Sequence, residues 1–314
     1  MRVVQPIALH RRRGEWNSLR RTAKLGPLQV GPGFPVRIMA AVNVSPESFY
    51  KGSVAIGPRD ILASVTGALE RGAEVIDIGA MSTAPYLESE VTEELERERI
   101  AEALRVVEGL EAVISVDTLR ASVAELALKR GASIINDVSG LKNDEKMARV
   151  VKEHGASLLA MAHSSVGSRA RPMVQVRESL RRTLAIARRA GIQEESIVLD
   201  PGIGFFREEG AGRAYSPQGL MPWHEWDSVV LADLGELRVL GRPLCVGLSR
   251  KSFLGKILKL DDPGERLPGS IAATAMAVMN GADMIRTHDV KETVQAVRVV
   301  EAIMRRGPRA ERAL

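Results

Sequence analysis

From residue 36 the chain alternates two hydrophobic rhythms. Short runs, apolar throughout and rich in Val and Ile, recur at 36–42 (VRIMAAV), 73–79 (AEVIDIG), 111–117 (EAVISVD), 132–138 (ASIINDV), 156–162 (ASLLAMA), 195–200 (ESIVLD), 243–248 (PLCVGL) and 282–287 (ADMIRT). Such runs read as parallel strands covered on both faces. Between them, apolar positions return with helical spacing, as at Ile61, Val65, Ala68 and Leu69, or Val123, Leu126 and Ala127.

One short phrase announces several of the runs: Arg71-Gly72-Ala73, Arg130-Gly131-Ala132, His154-Gly155-Ala156 and Asn280-Gly281-Ala282. A Gly just past the last helical turn takes the left-handed conformation that ends a helix. Four such joints imply one repeated helix-to-strand geometry. Eight strand–helix units between residues 36 and 306 predict a single (β/α)8 TIM barrel of the α/β class. An open doubly wound sheet is the alternative. Residues 1–35 read as a basic N-terminal extension and 307–314 as a C-terminal tail. The stretch 203–226 shows no clear helix before Trp226, a length typical of lids, binding elements and insertions.

Composition narrows the classes. The chain has 314 residues, 45% hydrophobic and 26% charged, which is globular and large enough for one core without disulfides. Its single cysteine, Cys245, allows no internal disulfide and no cysteine metal cluster, which fits a reducing, cytoplasmic setting. No run of 18 apolar residues exists, so no membrane span is expected, and no apolar stretch of the signal-peptide kind follows Arg11-Arg12-Arg13. Net charge is +5, yet residues 1–25 alone carry +6. That basic tip reads as solvated or docked on the chain itself rather than as a nucleic-acid site. Five Asn, six Gln and many charges suggest a thermophile, although the 34 Arg against 10 Lys also suit a GC-rich genome.

In a (β/α)8 barrel, chemistry sits where the strands end at their carboxyl termini. Polar residues concentrate there: Asn43, Asp77, Asp117-Thr118, Asn136-Asp137, His163, Asp200, Ser249-Arg250-Lys251 and Arg286-Thr287-His288-Asp289. Thr118, Ser249 and Asp289 read more simply as helix caps, and Asp137 as a structural contact. Asp117, Asn136 and Asp200 supply acceptors and an amide that can read the edge of a flat heterocycle. Arg250, Lys251, Arg286 and His288 supply cations at the last two strands, where barrels commonly hold phosphate. A planar nitrogen heterocycle bearing phosphate or diphosphate is the substrate this arrangement suggests.

Met39-Ala-Ala-Val-Asn-Val-Ser-Pro-Glu-Ser-Phe49 resembles the first signature of dihydropteroate synthases, and Asp77-Ile-Gly-Ala-Met-Ser-Thr-Ala-Pro85 is similar to the second. Ser115-Val-Asp-Thr118, Ile135-Asn-Asp-Val138, Asp200-Pro-Gly-Ile-Gly-Phe205, Gly247-Leu-Ser-Arg-Lys-Ser252, Arg266-Leu-Pro-Gly-Ser270 and Ile285-Arg-Thr-His-Asp-Val290 follow in order. Each motif is weak alone; eight in order over residues 38–305 are specific. The resemblance implies an enzyme joining 6-hydroxymethyl-7,8-dihydropterin pyrophosphate to p-aminobenzoate, with release of pyrophosphate, in folate synthesis. It implies that Asp117, Asn136, Asp200 and Lys251 grip the pterin. Arg286 and His288 would bind the pyrophosphate, and Asn43 would lie near a Mg2+ that accompanies it. Ser82 and Thr83 would hold the arylamine, and Phe205 would line its pocket. It further implies small-molecule partners only and a homodimer.

Three departures stand out. The family's Gly-Glu-Ser-Thr-Arg reads Ala80-Met81-Ser82-Thr83-Ala84, an acidic residue of the first loop is Lys51, and Met-His-Met-Gln-Gly becomes Met161-Ala-His-Ser-Ser165. Plain divergence with the same reaction is the simpler reading. The other is a different arylamine, as in divergent archaeal-type members that use a larger ribosylated, phosphorylated one. A methyltransferase acting on a methylated reduced pterin and a non-catalytic pterin-binding protein are the competing functions.

Overall fold

The structure, a computed structural model, describes residues 22–46, 54–81, 91–163, 171–206 and 221–306. Eight parallel strands form the barrel: β3 (Arg37–Asn43), β4 (Val75–Gly79), β5 (Val113–Asp117), β6 (Ile134–Asp137), β7 (Ser157–Met161), β8 (Ile197–Asp200), β9 (Cys245–Gly247) and β10 (Met284–Thr287). Each pairs with the next in sequence and β10 pairs with β3. The parallel bridge between Leu199 and Leu244 closes the ring. All eight fall inside the runs expected from the apolar pattern, apart from the final Asn43 of the first.

Helices cover the outside: α1 (Pro58–Glu70), α2 (Glu93–Val106), α3 (Ala121–Lys129), α4 (Met147–Glu153), α5 (Pro172–Ala190), α6 (Trp223–Ala232), α7 (Ser252–Leu258), α8 (Leu267–Met279) and α9 (Val290–Arg306). The stripe Ile61, Val65 and Ala68 is buried as its spacing requires. α6 starts at Trp223, three residues earlier than the sequence pattern suggested.

The Gly-Ala joints work as their repetition implied. Gly72, Gly131, Gly155 and Gly281 all have positive φ, between 59° and 103°. In each, the following Ala N–H reaches back to a carbonyl five residues earlier, at 2.9–3.1 Å. A fifth joint, Gly191-Ile192, has the same bonds but was hidden because Ile replaces Ala.

A feature absent from the sequence reading lies at the barrel's amino-terminal mouth. Residues 23–30 form a hairpin of β1 (Ala23–Leu25) and β2 (Leu28–Val30). Its Ala23, Leu25 and Val30 pack on Met39, Val75, Val113, Ile134, Leu159, Val198, Cys245 and Met284, one side chain from each barrel strand. This apolar floor closes the barrel from below. Because strand side chains alternate faces, residues two and four positions further along each strand share the interior and rise toward the open end.

Candidate active site

The residues two and four positions above the apolar floor are Asp77, Asn136, Asp200 and Arg286, then Asn43, Asp117 and His288. The same period of two that places Met39 and Val75 in the floor places these in the cavity mouth. The neighbours on the other parity, such as Ile76, Ile78 and Val116, face the helices and are fully buried.

Asp77 organises this ring. It is fully buried, and its Oδ2 accepts from Arg286 Nε at 2.7 Å and from Asn136 Nδ2 at 3.0 Å. Arg286 Nη2 also donates to Asp117 Oδ2 at 3.2 Å. Asp77 Oδ1 and Asp117 Oδ1 are buried and accept no hydrogen bond from the described residues. Buried acceptors without donors are costly, so these two oxygens are the points of the cluster most in need of a donor. Burial, with help from Asp77, pushes the Asp117 carboxyl up to about 7 despite the opposing charge of Arg286. Asp77 was seen in the sequence as a strand end but not chosen for the site. The usable signal was a carboxylate on the inward parity of an otherwise apolar run.

Asp200 closes β8 on the far side. Its Oδ1 accepts from Gly202 N at 2.7 Å, and burial raises its carboxyl to about 6 against the pull of that bond and of Lys251. Gly202 has φ +75°, and a Cβ there would collide with the carbonyl of Ala162. The next turn brings Phe205 under Lys251, whose Nζ lies 4.3 Å from the ring centroid. Gly204 lets this happen: its own Cβ would stand 3.0 Å from Lys251 Cδ. Asp227 Oδ1 holds the turn by accepting from Gly204 N at 2.8 Å.

The expected block of four cations is reduced to two. Arg250 is buried and ion-paired to Asp289 at 2.7 Å, with further bonds to the carbonyls of Pro263 and Gly264. His288 is neutral: loss of hydration, with the Arg286 charge beside it, pushes its pKa down to about 3. Its ring meets Asn43 Nδ2 at 3.4 Å and Ser249 Oγ at 3.2 Å. Lys251 and Arg286 remain as cations facing the mouth. Arg286 also stands among the carboxylates, so the acidic and basic ends separated in the sequence reading share one cluster. Asp137 is structural, its oxygens filled by Ser139 and Leu141 N–H groups and the Ser139 hydroxyl. Ser82, Thr83, Ala84, Lys51 and residues 207–220 lie outside the described residues.

A closed parallel barrel that gathers carboxylates, an amide and cations at its carboxyl-terminal rim has the layout of a barrel enzyme. Residues 39–288 match the family model described as pterin binding enzyme. The dihydropteroate synthase of Bacillus subtilis is 34% identical over 271 residues, covering 86% of this chain and 89% of that one. A Clostridium difficile dihydropteroate synthase solved with pteroic acid superposes with a TM-score of 0.76 at 33% identity, covering 88% of this chain and 99% of that one. The Xanthomonas albilineans enzyme, solved with 4-aminobenzoic acid, gives a TM-score of 0.78 at 29% identity, covering 91% and 98%. The chain belongs to the dihydropteroate synthase family, and it is an enzyme of that transferase type.

Proposed function

We propose that this chain condenses 6-hydroxymethyl-7,8-dihydropterin pyrophosphate with p-aminobenzoate, releasing pyrophosphate. The observation that carries this reading is the cluster of Asp77, Asp117, Asn136, Asp200, Lys251 and Arg286 at one rim, with two buried carboxylate oxygens that accept no hydrogen bond from the described residues. A pterin edge presents ring and exocyclic N–H groups to such oxygens. Asp117, Asn136 and Asp200 bind and orient the ring, and Lys251 donates to its carbonyl. The carbon–oxygen bond to the pyrophosphate breaks with its electron pair leaving on oxygen. The carboxylates favour the positive charge left on the pterin. The arylamine nitrogen then forms the new carbon–nitrogen bond and gives its proton to water or to the departing pyrophosphate. Phe205 would line the space for the aryl ring; Ser82 and Thr83, outside the described residues, are the side chains that the family resemblance gives to the amine.

Arg286 spends Nε and Nη2 on Asp77 and Asp117, which leaves Nη1 for the pyrophosphate beside His288. Among the described residues no group of three His, Cys, Asp or Glu side chains could cage a metal ion. Asn43 offers a single amide oxygen at the β3 end. That sparse set fits Mg2+ arriving with the pyrophosphate, since Mg2+ keeps several waters and takes few protein ligands in phosphate sites. When bound, the ion would neutralise charge on the leaving group.

The test is pyrophosphate release by the purified protein, given the pterin pyrophosphate and a panel of arylamines. Turnover with p-aminobenzoate supports the reading. Turnover only with a ribosylated, phosphorylated arylamine moves the enzyme to the other amine. No release with any amine defeats the assignment. Arg286→Ala should cut release on the order of a hundredfold, the worth of one electrostatic donor, and weaken 6-hydroxymethylpterin binding by less, through the Asp77 and Asp117 carboxylates that lose their cation. Equal losses in both would place Arg286 at the ring instead.

The quaternary state we propose is a homodimer through the outer faces of α8 and α9. Met276, Met279, Val299 and Ile303 are 47–66% exposed there. Apolar side chains grouped on neighbouring helices mark an interaction surface. Sedimentation should give twice the 34.1 kDa chain mass, and Met279→Glu with Ile303→Glu should give a monomer.

A further inference from the structure

Five side chains, Arg250, Asp289, Ser249, His288 and Asn43, form a chain of hydrogen bonds whose directions are set at one end. Arg250 grips Asp289 with two groups, Nη2 to Oδ1 at 2.7 Å and Nε to Oδ2 at 3.0 Å. Asp289 is therefore a carboxylate, able only to accept. Ser249 Oγ lies 3.0 Å from Asp289 Oδ2, so the single hydroxyl proton of Ser249 is spent there. Ser249 Oγ also faces His288 Nδ1 at 3.2 Å and can only accept from it. His288 then carries a proton on Nδ1, and the donor Asn43 Nδ2 set against Nε2 calls for a lone pair there. Asn43 approaches Nε2 at 3.4 Å and has to offer Nδ2, which turns its Oδ1 the other way.

Arg250 is built into this position at a cost. Its φ is +54°, an unusual value for a residue with a side chain. Its backbone N–H donates to Ser270 Oγ at 2.8 Å, and its carbonyl accepts from Arg266 Nη1 at 3.3 Å. Such strain persists where surrounding structure over-determines it, commonly beside functional sites.

We infer that Ser249 and Asp289 are positioning residues that hold His288 in its Nδ1–H tautomer and thereby set the side-chain orientation of Asn43. Neither need touch substrate. This goes beyond the proposed reaction, and its main test uses the free protein, so it stands or falls separately from the identity of the substrates.

The test is nitrogen NMR of protein labelled with 15N-histidine, the His288 signals being identified by their loss in His288→Gln. The wild type should show a protonated Nδ1 and an unprotonated Nε2. Ser249→Ala should shift the ring toward the other tautomer or a mixture, while Ser249→Thr, which restores the hydroxyl, should keep the wild-type pattern. With the pterin pyrophosphate, Ser249→Ala should lower turnover about tenfold, as loss of an orienting partner typically does. Its affinity for 6-hydroxymethylpterin should not change. A protonated Nε2 in the wild type overturns the inference, as does an unchanged spectrum in Ser249→Ala. If Ser249→Ala does not fold, the wild-type spectrum decides alone.

Discussion

Burial pushes the Asp200 carboxyl up to about 6 and that of Asp117 up to about 7, where physiological pH can move them. Both are raised because burial penalises the charged carboxylate more than nearby cations reward it. A carboxylate accepts two pterin N–H groups, whereas a carboxylic acid loses one acceptor to its own proton. The fraction able to bind thus rises with pH. Affinity for 6-hydroxymethylpterin should be up to about tenfold weaker at pH 5 than at pH 8 from Asp200 alone, with Asp117 adding to the slope. Titration calorimetry across that range checks it. Asp200→Asn should weaken binding by about 1.5–3 kcal/mol, the worth of a charge-assisted contact, and flatten the pH profile. A profile as steep in the variant as in the wild type would remove Asp200 from the pocket.

At the scale of elements, two glycines with the same backbone sign do different work. Gly155 ends α4 at φ +59° with nothing within 4 Å of where a Cβ would be. Gly155→Ala should cost only the left-handed strain, about 1–2 kcal/mol. Gly202 follows Asp200 and has no room, because the carbonyl of Ala162 and the Phe206 ring close on it. Gly202→Ala must displace the turn whose N–H holds Asp200. It should lower the melting temperature more than Gly155→Ala does and also weaken pterin binding. Thermal unfolding and calorimetry on the two variants separate the effects. The joints at residues 72, 131, 155 and 281 were legible because four copies of one phrase point to one geometry. The turn at residue 202 was not, since its constraint comes from β7, forty residues away in sequence.

The whole molecule depends on the plug at its amino-terminal mouth. Leu25 is fully buried against a floor drawn from all eight strands. Leu25→Ala should destabilise the barrel by about 2–5 kcal/mol, as for other large-to-small core changes. The floor lies at the opposite end of the barrel from the rim proposed to carry the reaction, so turnover of the folded variant should stay close to wild type. Urea unfolding followed by an activity assay tests both halves of that statement. Among the described residues no helix is long and apolar enough to cross a membrane.

Local periodicity by itself determined the barrel's elements, their order and the parallel sense of the strands, because burial on both faces writes a run of Val, Ile and Ala at every strand. It also marked Asn43, Asp117, Asn136, Asp200, Lys251, Arg286 and His288, which stand at strand ends where the fold puts its chemistry. Only the tertiary structure decided what those groups are. Arg250 and Arg286 are equally cationic in sequence, yet one is consumed by Asp289 and the other bridges Asp77 and Asp117. His288 is neutral because of what surrounds it. Residues 23–30, read as part of a basic extension, hold the floor of the core. Charge state, pairing and burial are set by neighbours brought together across up to 209 residues of chain, and no local window contains them.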